Sequence, residues 1–379
     1  MHNREALGGK LLTKPFWILL GLAGIAGLLI IKRFLFGIGA VTNLSDGYPW
    51  GIWIVYDVLV GTALGCGGYS IALLVYIFNK GEYHPLIRAA LMTSAFGYTL
   101  AGVSIFIDIG RYWQMYNIFL PWFMNFNSIM FEVAACIATY VLILWIEFSP
   151  TFMEKLKAHN ALGKMNKIIF VFIAIGILLP TMHQSSLGSL MIIAGEKVSP
   201  IWQTGWLPLL FLITAIAMGY AIVVFESLFS AVALRRPLDE TPLLGKLSGA
   251  MIPLLIVFML IRFGDLAWRG QLGNIFNDGL LGFFFIMENI LFLIPIVILA
   301  SAENRMKASK LFWASGAMLL GGALYRFDTF LVAFDPGLGY HYFPSASEIM
   351  ITVGIISIEI MAYLIFVKKL PVLTAVKPS

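Results

Sequence analysis

The sequence predicts an all-α polytopic membrane protein, on three observations. Of its 379 residues, 60% are hydrophobic and 12% charged, against roughly 25% charged in soluble domains. The apolar residues fall in long runs, and a helix rising ~1.5 Å per residue needs about 20 of them to cross ~30 Å of hydrocarbon. The 25 Lys and Arg lie mostly in short segments between those runs. The net charge of +5 is therefore read as membrane topology, and no nucleic-acid partner is expected.

Ten spans are predicted, at about 15–37, 52–79, 87–110, 127–148, 166–190, 206–230, 248–268, 279–300, 311–330 and 347–369. The first has no small-residue cleavage site after it and carries Lys32 and Arg33 within its run, so it reads as an uncleaved anchor helix. Helix 2 carries Asp57 near its start, then Gly61 and Gly65, which suit close helix packing. Helix 3 runs from Arg88 past Tyr98, Thr99 and Ser104 to Asp108, and helix 4 begins with Glu132. Helix 5 holds the one histidine set in an apolar segment, His183, beside Gln184, Ser185 and Ser186. Helix 6 contributes Glu226, helix 7 ends in Arg262 and Asp265, helix 8 carries Glu288, helix 9 Arg326 and Asp328, and helix 10 Glu359. The two cysteines, Cys66 and Cys136, are too few for an iron–sulphur cluster, which needs about four thiolates.

Orientation follows from the basic residues. Eighteen lie in the first tail, the even-to-odd loops and the last tail, and seven on the other side, so both termini are expected in the cytoplasm. The opposite loops carry aromatic and turn residues, as in Tyr48-Pro49-Trp50-Gly51 and Tyr112-Trp113, which suit an interfacial belt or a docking surface. An internal repeat is also legible: Gly68-Tyr69 matches Gly219-Tyr220, and Glu132 matches Glu288. It implies two four-helix bundles, helices 2–5 and 6–9, flanked by helices 1 and 10. The expected division is 1–51, the N-terminus and helix 1; 52–190, the first bundle; 191–330, the second bundle; and 331–379, a loop, helix 10 and the C-terminus.

Depth brings the polar residues of the first bundle to one level. Asp108 stands roughly 30 Å up helix 3 and His183 roughly 25 Å up helix 5, while Asp57 and Glu132 lie roughly 8 Å below the outer surface. Arg111 is one turn beyond Asp108. That pair, at i and i+3, also suits simple mutual neutralisation at a helix end. Ionisable groups in hydrocarbon are costly and mark functional interiors, and a protonatable cluster suits a redox carrier that exchanges protons with its electrons. Glu226 and Glu359 lie deeper; a proton path and ordinary helix-packing contacts both accommodate them. The other four histidines fall in tails or loops, so a haem-free chain is expected.

Several motifs carry a resemblance. Leu7-Gly8-Gly9-Lys10, Tyr48-Pro49-Trp50-Gly51, Tyr83-His84-Pro85-Leu86, Asp108-Ile109-Gly110-Arg111-Tyr112-Trp113, Asn127-Ser128, Phe131-Glu132, the stretch Leu179 to Leu190, Arg262-Phe263-Gly264 and Tyr340-His341-Tyr342-Phe343-Pro344 extend over essentially the whole chain. The chain resembles the NrfD/PsrC-like membrane subunits of respiratory oxidoreductases, and is most similar to the HybB-type subunits of periplasm-facing nickel–iron hydrogenases. The resemblance implies an inner-membrane subunit without haem or iron–sulphur cluster. It would take electrons from a periplasmic iron–sulphur subunit, itself served by the nickel–iron hydrogenase large and small subunits, and pass them to menaquinone.

On that basis His183, Asp108 and Glu132 are the expected catalytic residues. His183, Gln184, Arg111, Tyr112, Trp113, Trp50 and Asp57 are expected at the quinone, with Arg111 tuning the carboxylates. Tyr98, Glu226, Glu288, Asp265, Arg262 and Glu359 are expected on a proton path, with coupling to proton translocation left open. A secondary transporter, a quinone-reacting subunit with another periplasmic donor, and a purely structural anchor are the alternatives; copurification with iron–sulphur and hydrogenase subunits separates the oxidoreductase reading from the transporter, which would function as an isolated chain.

Overall fold

The computed structural model describes residues 6–373. The extreme ends, on which the cytoplasmic assignment of the two termini falls, lie outside the described residues. Ten long helices follow one another among the described residues: α1 Lys14–Phe36, α2 Trp53–Ile77, α3 Gly81–Asp108, α4 Ile129–Lys155, α5 His159–Ala194, α6 Leu207–Ala233, α7 Thr241–Trp268, α8 Leu280–Ala300, α9 Ala308–Phe327 and α10 Ala346–Lys369. Each matches a predicted span. Among the described residues nine are long and apolar enough to cross a membrane. The exception is α9, whose 20 residues include Lys310, Arg326 and three glycines. No strand forms among the described residues, only an isolated bridge between Val198 and Phe334.

The chain divides into two compact units. Of the described residues, the first takes 6–62, Leu91–Gly176 and 336–373. The second takes Ala63–Ala90 and Ile177–Asp335. Unit boundaries thus fall inside α2, α3 and α5, rather than at the loop near residue 190 that the repeat suggested. Helices of this length have two halves that can pack in different neighbourhoods, and a sequence offset does not reveal that. The four-helix grouping stays a proposal.

In the first unit α1 packs along α10. Pro15 starts α1, where its missing N–H would be unsatisfied anyway, and Gly37 ends it at φ 86°, a conformation that disfavours any side chain. Gly354 of α10 faces Ala26 of α1 so closely that a Cβ there would overlap the alanine methyl. The start of α10 is a capping box: Ser345 Oγ accepts from Glu348 N at 3.1 Å, and Glu348 Oε2 accepts from Ser345 N at 2.8 Å. Glu348, 1% exposed, also accepts from Asn43 N and from the Tyr342 hydroxyl, at 2.9 and 2.6 Å. Tyr342 in turn accepts from Ile52 N at 2.9 Å. Burial and the bond to Glu348 hold the Tyr342 phenol well above the usual tyrosine range, so it stays a donor. One carboxylate thereby ties the loop before α2 to the start of α10.

In the second unit the later part of α2 crosses α6 at glycines. A Cβ on Gly219 would strike Ser70 and the Cys66 carbonyl, and one on Gly67 would press on Ile222 and Val223. Small residues allow such backbone approach where lipid offers no hydrophobic drive for association. The close crossing lies at Gly67 and Gly219; Gly61, one of the two glycines expected there, meets only the Tyr56 carbonyl of its own helix.

Replacing Gly354 with leucine should force α1 away from α10 and destabilise the protein by roughly 1–3 kcal/mol. Gly102→Leu, where nothing lies within 4 Å of the added Cβ, should leave the melting temperature in detergent near native. Equal melting of the two variants contradicts this packing.

Candidate functional site

Each unit encloses polar side chains in an apolar surround. In the first, Asp57 on α2 is 6% exposed and its Oδ2 accepts from Ser104 Oγ of α3 at 3.2 Å and Thr352 Oγ1 of α10 at 3.3 Å. Asp108 ends α3, its Oδ1 buried and without a hydrogen-bond partner among the described residues. The cation within Coulombic reach of it is Arg33, not the expected Arg111. Arg33, 1% exposed on α1, donates through Nε to the Ile107 carbonyl at 2.6 Å and through Nη2 to the Ile109 carbonyl. A cation there satisfies carbonyls left open at the end of α3 and complements the helix dipole. Its guanidinium also lies 4.8 Å and 5.1 Å from the rings of Phe34 and Tyr112.

Arg111 is exposed and forms no ion pair with Asp108 among the described residues. Tyr112 packs edge-on against Phe34 at 4.7 Å, while Trp113 is 60% exposed and Trp50 half-buried. Glu132 is half-buried in the first turn of α4, behind the Ser128 cap, where a carboxylate suits the helix dipole. Tyr98 is fully buried and stacks edge-to-face on Tyr140 at 4.6 Å. Glu359 is half-buried on α10, within Coulombic reach of Asp57.

Glu147, not among the residues singled out from the sequence, has its Oε1 buried in α4 beside Gly176 of α5 with no partner among the described residues. The roles of Arg33 and Glu348 were likewise not expected. Charges inside apolar runs, and a serine three residues before a glutamate, were the available signals.

In the second unit His183 and Gln184 are both fully buried on α5. His183 Nδ1 lies 2.9 Å from the Leu179 carbonyl, which can only accept, so Nδ1 carries the proton. Nε2 then accepts from Gln184 Nε2 at 3.2 Å. Gln184 Oε1 accepts from Arg326 Nη2, also at 3.2 Å. Arg326, itself fully buried, further donates to the Phe211 carbonyl at 3.1 Å and Thr214 Oγ1 at 3.2 Å. The result is a directed chain, from guanidinium to amide to imidazole to backbone, that fixes one tautomer.

A second cluster lies in the same unit. Arg262 of α7 pairs with Glu288 Oε1 of α8, and Trp202 Nε1 donates to Glu288 Oε2 at 3.4 Å. Arg262 lies 4.3 Å from the Phe285 ring and 4.8 Å from that of Tyr325. Asp265 is separate from it: it pairs with Arg269 at 2.6 Å, and Arg269 donates to the Pro200 carbonyl at 2.9 Å. Glu226 is half-buried on α6. Of the predicted residues, the first unit thus brings together Asp57 and Asp108 with Glu359 in reach. The second brings together His183 with Gln184, and Arg262 with Glu288.

Such a helical array with ionisable groups buried in its interior defines a polytopic membrane protein built for polar chemistry. Comparison with known proteins gives the family: residues 40–333 match the model described as "Polysulphide reductase, NrfD", and the chain belongs to that family. The chain is 45% identical, over all of its length and 97% of the other protein, to the "Probable Ni/Fe-hydrogenase 2 b-type cytochrome subunit" of Escherichia coli K12. It is 30% identical over 62% of its length, and 58% of the other protein, to the "Menaquinone reductase, integral membrane subunit" of Nitratidesulfovibrio vulgaris Hildenborough. It is 24% identical over 96% of its length, and 95% of the other protein, to one of the selenate reductase subunits of Mesobacillus selenatarsenatis. These relatives are described as subunits of oxidoreductases, and the resemblance carried by the motifs holds.

One expectation is corrected. A haem-free chain was predicted, yet the Escherichia coli relative is described as a b-type cytochrome subunit, a description that implies haem. The prediction counted histidines, whereas haem iron also takes methionine, cysteine or tyrosine. As to fit, His183 is the only buried histidine among the described residues, and Leu179 and Gln184 engage its two ring nitrogens. These residues do not form a facing pair of imidazoles, and no step of the proposed reaction is routed through haem.

Replacing Arg262 with leucine leaves Glu288 buried without its cation and should cost roughly 3–5 kcal/mol, read as a fall in melting temperature. The double variant Arg262→Leu/Glu288→Leu should recover most of that loss. If the double variant is as unstable as the single one, the pair is not what holds these helices.

Proposed function

We propose that the chain is the quinone-reacting membrane subunit of a respiratory hydrogenase complex. In this reading it lies in the bacterial inner membrane with both ends in the cytoplasm. It accepts electrons from a periplasmic iron–sulphur subunit attached to the nickel–iron hydrogenase large and small subunits. The electrons reduce menaquinone; hydrogen as donor rests on the Escherichia coli relative's description, and menaquinone as acceptor on that of the Nitratidesulfovibrio relative.

The observation that carries the reading is the chain from Arg326 through Gln184 to His183. Reduction of a quinone to a quinol takes two electrons and two protons. With Nδ1 held on the Leu179 carbonyl, Nε2 is the ring atom that gains and releases a proton. A protonated Nε2 donates to a quinone carbonyl and delivers its proton as the oxygen becomes a hydroxyl. Once Nε2 carries a proton it no longer accepts from Gln184, and that amide N–H of Gln184, its oxygen fixed on Arg326, donates to the same edge of the quinone. Arg326 stays charged throughout and stabilises the negative charge that develops on the reduced quinone. Asp57 and Asp108, with Glu359 and the hydroxyls of Ser104 and Thr352, form a proposed proton route within the first unit.

His183→Ala in the assembled complex should abolish hydrogen-dependent menaquinone reduction and leave hydrogen-dependent dye reduction at the native rate. Both rates are measured on one preparation reconstituted in sealed vesicles. Native menaquinone turnover in the variant removes His183 from the reaction.

A further inference from the structure

Asp328 follows the last turn of α9 and is fully buried, and neither of its carboxylate oxygens has a hydrogen-bond donor among the described residues. Glu288, also fully buried, has its two oxygens on Arg262 and Trp202. The Asp328 and Glu288 side chains nevertheless lie within hydrogen-bond reach of each other. Two ionised carboxylates only accept, so a bond between them requires a proton.

The charge surrounding the pair leads to the same count. The groups facing it are Arg262 from α7, Trp202 from the segment before α6, and Tyr325 from α9. Arg326 donates to the neutral acceptors Gln184, Thr214 and the Phe211 carbonyl, and the cation whose charge reaches Glu288 and Asp328 is Arg262. One guanidinium thus stands against two carboxyl groups where each unpaired charge costs about 3 kcal/mol on insertion scales. One carboxylate, one carboxylic acid and one guanidinium leave the cluster neutral.

We infer that Asp328 and Glu288 share a single exchangeable proton, carried on Asp328, and that this pair is a proton-holding site inside the second unit. Glu288 stays ionised against Arg262, and Asp328 donates to it. When the proton leaves, the Asp328 carboxylate remains; the Tyr325 hydroxyl, one turn earlier, is buried and has no hydrogen-bond partner among the described residues, which leaves it free to turn its proton to that carboxylate. Resting on the quinone reading, the inference adds that this acid supplies one of the two protons a quinol requires.

The test is infrared difference spectroscopy of the full-length protein in liposomes during pH steps, in H2O and D2O. Native protein should give a carbonyl band of a protonated carboxylic acid that shifts in D2O. Asp328→Asn should lose the band while melting near the native temperature, because the new amide donates to Glu288 in place of the proton. Glu288→Gln should lose it too, since Arg262 then holds Asp328 as a carboxylate. Glu147→Gln should retain it. Because Asp108 and Glu147 also hold buried carboxyl oxygens, the band is read as native minus variant: a difference spectrum that lacks the band for Asp328→Asn or for Glu288→Gln overturns the shared proton, as does a native protein without such a band. In the assembled complex the band should bleach during menaquinone turnover; a band that stays constant while quinone is reduced overturns the supply role. A complex that reduces no quinone refutes the functional reading instead, and the pH steps still decide the pair.

Discussion

Hydrocarbon offers no hydrogen bonds, and the interior of this protein is arranged around that constraint. A charge placed there must find an opposite charge or a set of dipoles. Arg262 finds Glu288, with three aromatic rings within reach of its guanidinium. Arg33 finds the open carbonyls at the end of α3. Arg326 is satisfied by a glutamine, a threonine and a backbone carbonyl rather than by a carboxylate. Each solution joins at least two helices, so the polar contacts also fix how helices meet where packing alone discriminates weakly.

The same constraint shapes the proposed chemistry. An imidazole held by a carbonyl on one side and an amide on the other has one tautomer and one ring plane. The amide is itself fixed by a permanently charged guanidinium, so the neutral ring is oriented by partners that do not titrate. The proton movement is thereby concentrated at one ring nitrogen. The Asp328–Glu288 pair differs in kind. There the partner of a carboxylate is another carboxyl group, and the proton between them is part of the structure.

Much of this was legible in the sequence. All ten helices coincide with predicted runs, nine of them long and apolar enough to cross a membrane, and His183 beside Gln184 stands out in an apolar run; the capping box at α10, a serine three residues before a glutamate, carried a signal that went unread. Partners were harder to read. Spacing joins Asp108 to Arg111, three residues apart, and gives Arg262 no partner on another helix. Yet Arg33 serves the end of α3, and Glu288 takes Arg262. Those partners come from other helices, and which helices become neighbours is decided by small-residue crossings such as Gly67 with Gly219, not by any local pattern. Glu147 was missed because it sits near the basic end of its run, where a charge reads as part of a loop. The haem exclusion failed for a different reason: it counted one ligand type where the chemistry admits several.

The central claim is that quinone reacts beside His183 and Gln184 on α5. Its most direct test is photoaffinity labelling of the intact complex in membranes with an azido-menaquinone, followed by mapping of the labelled peptide. The account predicts label in the α5 segment around His183, displaced by excess unlabelled menaquinone. Label confined to other helices, or label on α5 that unlabelled menaquinone does not displace, contradicts it.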